Sequence, residues 1–193
     1  MEIPTDTIKE LREKTGVSVM QCKKALGEAG GNLAQAEVIL RKRSSAAAEK
    51  KAGRALGAGT IGSYIHEGAI GAMVALASET DFVAKNPEFA AIARELAMQV
   101  AATDPKYLST DQIPSDAKQA ARAVFEKEVE GKPLDMKQKI LEGKLASYFR
   151  DQVLLEQPFI KDESKMVRDL LHEATQKFGE RVEIIDFSRL STR

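Results

Sequence analysis

Residues 60–78 read TIGSYIHEGAIGAMVALAS, and this stretch decides the fold class. Its two halves, TIGSYIH and IGAMVALAS, have the composition of strands and flank a turn at Glu67-Gly68, which predicts a β-hairpin. One more strand is predicted for RVEIIDFSRL at 181–190, whereas most of the remaining chain is patterned for helices. Because strands and helices are grouped rather than strictly alternating, we expect an α+β fold in which helices pack a small antiparallel sheet.

The N-terminal part of the chain, residues 1–43, has the pattern of a module of three short helices. Each predicted helix starts at a short polar residue followed three positions later by Glu or Gln, as in a capping box: Thr7 and Glu10, Ser18 and Gln21, Asn32 and Gln35. Glycines at 16 and at 30–31 end the first two helices. Three such helices enclose only a small core, so the module is expected to need neighbours.

A basic stretch, residues 44–59, follows the module and is predicted to be a linker that begins as a helix. The wider run 41–54 carries six basic residues and one acid, and such charge runs are usually solvated. The alternative is a patch that binds phosphate groups or an acidic partner. No aromatic residues are interleaved to stack on bases, which counts against binding of single-stranded RNA.

The remaining residues, 60–193, are predicted to form the α+β core domain. A strong helix begins with Asn86 as its cap and Pro87 at its first position, and Asp104-Pro105 ends it. Two further helices over 115–130 and 134–151 predict an antiparallel pair at about 115–150. Another helix is predicted over 164–178.

Composition and charge limit the classes of function. Lys plus Arg equals Asp plus Glu, 29 of each, which gives no sign of wholesale binding to nucleic acid or membranes. The single cysteine, Cys22, cannot form an intrachain disulfide, which fits a reducing compartment. No apolar run is long enough to span a bilayer, and the first residues lack the pattern of a signal peptide. We expect a cytoplasmic protein without a membrane partner.

The sequence contains no convincing motif for catalysis or for a cofactor. GAGTIG at 57–62 spells G-x-G-x-x-G, but a helix precedes it and a strand follows, the reverse of a dinucleotide site. No phosphate-binding loop of the G-x-x-x-x-G-K-[ST] type is present, so no direct nucleotide binding is expected. His66 and His172 have no cysteine or histidine at zinc spacing. The sequence therefore predicts no cofactor, no metal and no enzyme active site, but a protein that acts by contact.

The segment ETDFVAKNPEF, residues 79–89, places a phenylalanine in a short polar connection between the hairpin and the helix that begins at Pro87. Phe82 and Val83 either pack beneath that helix or are offered to another molecule. Packing is the usual role of an aromatic residue near a helix start. Asp81 before Phe82 and Lys85 after it favour the surface.

Three blocks resemble translation elongation factor Ts: LREKTGVSVMQCKKALGEAGGNLAQAEVILRKR at 11–43, ASETDFVAKNPEF at 77–89 and VLLEQPFIKD at 153–162. The resemblance implies that the N-terminal module is similar to ubiquitin-associated (UBA) domains. It also implies a guanine-nucleotide exchange factor that binds elongation factor Tu, a GTPase, in its GDP-bound and nucleotide-free forms. Thr80, Asp81, Phe82 and Val83 would form the loop that enters the partner's nucleotide domain, displaces Mg²⁺ and promotes GDP release.

The resemblance leaves several points open. Val19 and Met20, at the start of the second helix, either touch the partner or fill the module's small core. Many family members carry two copies of the core half whereas this chain has room for one, so a homodimer giving a 2:2 complex is expected. The rival functions are a UBA-like adaptor that binds without exchanging nucleotide, and an RNA-binding protein that uses the basic stretch.

Overall fold

The computed structural model describes residues 3–129 and 133–192. The glycine and lysine of the predicted GKP turn, residues 131 and 132, lie outside these ranges. Eight α-helices and five β-strands occur in the part described, together with short 3₁₀ helices at Thr110–Gln112 and Leu154–Glu156. In chain order they are α1 (Thr5–Thr15), α2 (Val19–Glu28), α3 (Leu33–Lys51), β1 (Ala58–His66), β2 (Ile70–Ser78), α4 (Asp81–Ala84), α5 (Pro87–Thr103), α6 (Ser115–Glu128), α7 (Leu134–Arg150), β3 (Pro158–Phe159), β4 (Asp162–Met166), α8 (Val167–Phe178) and β5 (Glu183–Ser191).

The predicted α+β class, hairpin and C-terminal strand are confirmed. A three-stranded antiparallel sheet has the order β1-β2-β5, and β1 pairs with β2 from Ala58–Ser78 to His66–Ile70 without a shift. β2 pairs with β5 through a bulge opposite Ala75 and Leu76. The predicted Glu67-Gly68 turn is present, both residues having positive φ.

Helix α5 covers the inner face of this sheet at very short range. A Cβ atom added to Gly62 of β1 would lie 2.1 Å from the carbonyl carbon of Ala93 of α5. Gly62 of GAGTIG therefore allows the close approach of helix to strand, and Gly59 allows that of the neighbouring strand, where a Cβ would lie 2.6 Å from the carbonyl oxygen of Leu76. The strand that contains both follows helix α3. Asn86 caps α5 by accepting a hydrogen bond from the amide of Glu88, and Pro87 is its first residue, as predicted.

The core of the domain lies between the sheet, α5 and α8. Phe89 is fully buried, and its ring meets that of Phe178 edge to face at a centroid distance of 5.7 Å. Val74 and Leu76 of β2 belong to the same buried cluster as Ala93, Leu96 and Val100 of α5. The core therefore includes residues on both sides of Phe82 in the sequence, Leu76 before it and Val83 and Phe89 after it.

The N-terminal helices α1 to α3 enclose their own small core, which includes Leu11, Leu26 and Leu40. Two predicted caps are confirmed: Ser18 Oγ accepts from the amide of Gln21, and Asn32 Oδ1 from that of Gln35. The cap predicted at Thr7 is wrong, because α1 begins at Thr5, directly after Pro4. Pro4, whose φ is fixed near −58°, is the residue directly before the helix, and no side chain caps the first turn. Similarity of this module to UBA domains stays a prediction.

The boundary predicted at residue 43 falls inside a helix. α3 runs without interruption from Leu33 to Lys51, so half of the predicted linker 44–59 belongs to it. Its alanines favour helix, and the helix packs against α8. Ser44, which is buried, donates to Gln176, and Ser45 Oγ lies 3.2 Å from Nδ1 of His172. The basic stretch thus forms the junction between the module and the core domain.

Helices α6 and α7 form the predicted antiparallel pair. The ring of Phe125 meets that of Tyr148 at 5.7 Å, and Lys144 bonds Glu128 at 2.6 Å, so rising numbers on α6 match falling numbers on α7.

The segment that follows α7 is tied to α5 by buried amides. Gln99 Nε2 donates to Oε1 of Gln157 at 3.0 Å, while Gln157 Nε2 donates to the carbonyl of Asp151 at 2.7 Å. The helix predicted over 164–178 starts later, at Val167, because Asp162–Met166 pairs with Pro158–Phe159 as β4. In the described residues, no helix is long and apolar enough to cross a membrane.

Candidate partner-binding site

The TDFV loop, which we define as Thr80–Val83, sits on a single helical turn between the sheet and α5. β2 ends at Ser78, and α4 covers Asp81–Ala84. The turn is closed by backbone bonds from Ala84 to Thr80 at 3.2 Å and from Lys85 to Asp81 at 3.0 Å. The amide of Asn86 then bonds to the carbonyl of Val83 at 2.9 Å, directly before α5 begins. The loop is therefore an ordered projection rather than a free connection.

Phe82 points away from the protein. Its side chain is 83% exposed, whereas that of the next residue, Val83, is 4% exposed and packs in the core of the domain. Successive residues of a helical turn differ in direction by roughly 100°, so burying Val83 directs Phe82 outward. The alternative that Phe82 packs beneath α5 is wrong. Val83 was predicted as part of the same contact with a partner, and its side chain is buried in the core of the domain.

Asp81 and Lys85 form an ion pair beside Phe82. Lys85 Nζ lies 2.7 Å from Oδ2 of Asp81, four residues earlier, and both side chains are largely exposed. The hydrogen bond and charge of Lys85 lower the pKa of the Asp81 carboxyl, and the amides of Asp81 and Phe82 lower it further. Such exposed pairs contribute little to stability because water and salt screen them. Asp81 is thus an ionised acceptor at the surface that another molecule can reach.

The start of the loop is held by the turn between α8 and β5. The carboxylate of Glu180 accepts the amide of Thr80 at 3.0 Å and its hydroxyl at 2.6 Å. The carboxylate of Glu79 accepts the amide of Arg181 at 2.6 Å. That bond, and then Arg54 at 3.2 Å, lower the pKa of the Glu79 carboxyl. Sequence reasoning missed Glu79, Glu180 and Arg181, because partners a hundred residues apart leave no local pattern.

Val19 and Met20 lie at the first turn of α2 with side chains 50% and 81% exposed. The residue that fills the module's core at this point is Val17, which is buried. Of the two predicted alternatives, a role in the core is therefore excluded for Met20. Both residues are free in the described structure to meet another molecule.

Lys177, at the end of α8, links the module to the TDFV side of the core domain. Its Nζ lies 3.1 Å from Oε2 of Glu88 in the first turn of α5. The same side chain passes 3.4 Å from where a Cβ would stand on Gly16, which ends α1 with a φ of 67°. Lys177 thus contacts the chain next to both predicted partner-binding segments. Gly16 lies shortly before Val19 and Met20, and Glu88 lies shortly after the TDFV loop.

The described residues contain no group of three or more His, Cys, Asp or Glu side chains that could hold a metal ion. A cavity of about 910 Å³ lies along α6 and α7 and is lined by Ile113, Leu145 and Phe149 among others. None of its lining residues belongs to the TDFV loop or to α2. The candidate site is therefore distinguished by the exposed ring of Phe82 and by the neighbouring ion pair of Asp81 and Lys85.

The fold and the site together define an α+β protein that presents an exposed aromatic side chain on a braced turn. The family model described as Elongation factor TS matches residues 47–192 of the chain. The chain belongs to this family.

Curated relatives agree over nearly the whole length. Elongation factor Ts of Thermodesulfovibrio yellowstonii is 44% identical over 190 residues, covering 98% of this chain and 96% of the relative. Elongation factor Ts of Coprothermobacter proteolyticus is 41% identical over 192 residues, covering 98% of each. That of Thermotoga petrophila is 44% identical over 190 residues, covering 98% of this chain and 96% of the relative. The family assignment gives the chain a role in translation elongation, within protein biosynthesis.

Proposed function

We propose that this chain is the guanine-nucleotide exchange factor for elongation factor Tu in the cytoplasm: it binds the GDP-bound form, displaces Mg²⁺ and promotes GDP release. The single observation that carries the proposal is the outward orientation of Phe82, 83% exposed on a turn whose neighbours are buried or bonded. An exposed aromatic residue on a rigid support costs little entropy when it enters a partner's pocket. The exchange factor itself performs no covalent chemistry.

The physics of the partner explains why a ring can release a nucleotide. A GTPase holds its nucleotide through backbone amides and a magnesium ion that bridges phosphate oxygens. Packed protein interiors respond to an inserted group by changing to another arrangement, because they do not deform smoothly. A phenyl ring pressed between helices beside that site would favour an arrangement in which the magnesium ligands no longer converge.

The four residues of the TDFV loop then have different roles. Phe82 enters the partner, and Asp81 accepts hydrogen bonds that fix the loop's register or competes for groups that support the ion. Thr80 fixes the start of the turn through Glu180. Val83 anchors the turn to its own core. Val19 and Met20 supply a second, apolar contact from the module, held near the first by Lys177.

Thermodynamic linkage requires the effect to be reciprocal. If binding of this chain weakens the affinity of the partner for GDP, GDP weakens the affinity for this chain by the same factor. Rebinding of nucleotide therefore expels the exchange factor, which is not consumed. The nucleotide-free complex should be the most stable one.

Release of a fluorescent GDP analogue from elongation factor Tu, measured with increasing amounts of this chain, tests the proposal. We expect the rate to rise and then saturate. Binding with an unchanged release rate would favour the UBA-like adaptor and refute exchange. Steeply salt-dependent binding to RNA with no effect on release would instead favour the basic stretch as an RNA-binding surface.

A homodimer, which would give a 2:2 complex with the partner, is supported by the outer face of the sheet. Ile61, Ile65, Met73 and Leu190 stand on the face opposite α5, all at least half exposed, and Ile185 is exposed at the bulge. An apolar face of this kind is more often an interface than a free surface. Met73→Glu should halve the mass measured by light scattering, and Val124→Glu on α6 should not. A wild-type chain that is monomeric at working concentration would refute the dimer.

A further inference from the structure

The TDFV loop and the turn after α8 are joined by a reciprocal pair of acids. The carboxylate of Glu180 accepts the amide of Thr80, and the carboxylate of Glu79 accepts the amide of Arg181. Each segment thus supplies one carboxylate to the backbone of the other. We call residues 79–80 and 180–181 the acid clamp.

The 180–181 side of the clamp is held by bonds to neighbouring residues of α8 and β5. Gly179, with a φ of 74°, ends α8 and turns the chain toward β5. The amide of Val182 then donates to the hydroxyl of Thr175, which is buried. Arg181 also bonds Glu183 through two nitrogens at 2.8 Å. Glu180 is therefore presented from a fixed backbone, and not from a mobile loop.

The TDFV loop needs such support at its first residue. Thr80 is the N-cap of α4, but its hydroxyl accepts no cap bond within the turn, and it donates its hydrogen to Glu180. α4 has only four residues, and so short a helix is not stable by its own hydrogen bonds. Val83 fixes the turn at one end, and Glu180 fixes it at the other.

We propose that Glu180 is a positioning residue for Phe82: its carboxylate holds Thr80 so that the turn keeps the ring pointing outward. The inference rests on the proposed exchange function and deepens it by assigning a residue a hundred positions away. Glu180 acts through Thr80 and does not need to touch elongation factor Tu. Hydrogen bonds to a charged acceptor are stronger than neutral ones, so the loss of two should matter.

The test compares Glu180→Ala and Glu180→Gln with the wild-type chain in the GDP-release assay. We expect Glu180→Ala to lower the maximal release rate about five- to tenfold. This is less than the full worth of hydrogen bonds to a charged group, because the backbone bonds of α4 remain and still favour the turn. The half-saturating concentration should stay within about twofold, because the rest of the interface is intact. Glu180→Gln retains one acceptor oxygen, so its maximal release rate should lie between those of the wild-type chain and Glu180→Ala. Glu67→Ala removes the same charge at the opposite end of the hairpin and should match the wild type.

A double-mutant cycle with Thr80→Val separates positioning from direct contact. Valine keeps the amide of residue 80 and removes the hydroxyl that Glu180 accepts. If Glu180 acts through Thr80, the two substitutions together should cost clearly less than the product of their separate effects. Effects that multiply independently, or a rise in the half-saturating concentration alone, would mean that Glu180 meets the partner and would overturn the inference.

Amide hydrogen exchange in the free chain gives a readout that does not depend on elongation factor Tu. Glu180→Ala should speed exchange at residues 80–85 at least about tenfold while the melting temperature changes little. If wild-type chain fails to release GDP, the proposed function is wrong, whereas this measurement still tests the clamp. Unchanged exchange and unchanged release in Glu180→Ala would refute the positioning role.

Discussion

Replacing Phe82 with alanine should leave the fold intact. The ring is 83% exposed, so its removal opens no cavity, and exposed substitutions usually change the free energy of unfolding by less than about 0.5 kcal/mol. Phe89, seven residues later, provides the contrast because it is fully buried against Phe178. Phe89→Ala should cost about 3–5 kcal/mol, which corresponds to a fall of about 10 °C in melting temperature for a chain of this size.

The same substitution should strongly impair exchange. An aromatic anchor at the centre of an interface typically carries at least about 2 kcal/mol, which is roughly a 30-fold change. The maximal rate of fluorescent GDP release from elongation factor Tu should therefore fall about 30-fold in Phe82→Ala. Val124→Ala on α6, which also removes an exposed apolar side chain, is the matched control and should leave the rate unchanged.

Two results would refute this reasoning. Unfolding of Phe82→Ala, or a melting temperature as low as that of Phe89→Ala, would mean that the ring supports its own domain. A normal release rate with a normal melting temperature would mean that the exposed ring is not the group that acts on the partner. Circular dichroism and thermal melting accompany the kinetic assay for this purpose.

Two further predictions concern stability. Gly62→Ala should lower the free energy of unfolding by about 1–3 kcal/mol in urea titrations, because the added methyl group would lie 2.1 Å from Ala93; Gly71→Ala, whose methyl group meets nothing within 4 Å, should not, and equal effects would argue against close packing as the cause. Burial lowers the pKa of His172 from its ordinary value of 6.5, so the unfolded chain binds more protons and stability should decline as pH falls below about 6.5; His172→Gln should flatten that part of the pH profile of urea unfolding, and an unaltered profile would contradict it.

Local patterns in the sequence predicted the elements well where a local contact determines the structure. Ser18 and Asn32 cap helices because their partners are three residues away, and both were predictable. Thr7 has the same pattern but fails, since Pro4 starts α1 earlier. The strand at Asp162–Met166 was missed because it forms only by pairing with Pro158–Phe159, and its polar residues have no strand alternation.

In the candidate site, too, the features that depend on local contacts were predictable from the sequence and those that depend on distant contacts were not. That Phe82 lies in a short connection between a strand and a helix follows from the sequence, as does the presence of Asp81 and Lys85 on either side of it; that these two form an ion pair was not predicted. The direction of the ring does not follow, because it depends on Val83 being drawn into the core. Neither does the role of Glu180 or of Lys177, whose partners are distant in the chain.

The sequence by itself determined the α+β class, the hairpin, the helix pair, the family resemblance and the position of the TDFV loop. Each of these depends on residue types at short, regular spacings, which act before the chain is folded. Only the tertiary structure decided that α3 continues past residue 43 onto α8, that Phe82 faces outward and Val83 inward, and that the loop is clamped by the turn at 180–181. These features depend on burial and on hydrogen bonds between segments far apart, and such contacts exist only once the whole chain has packed.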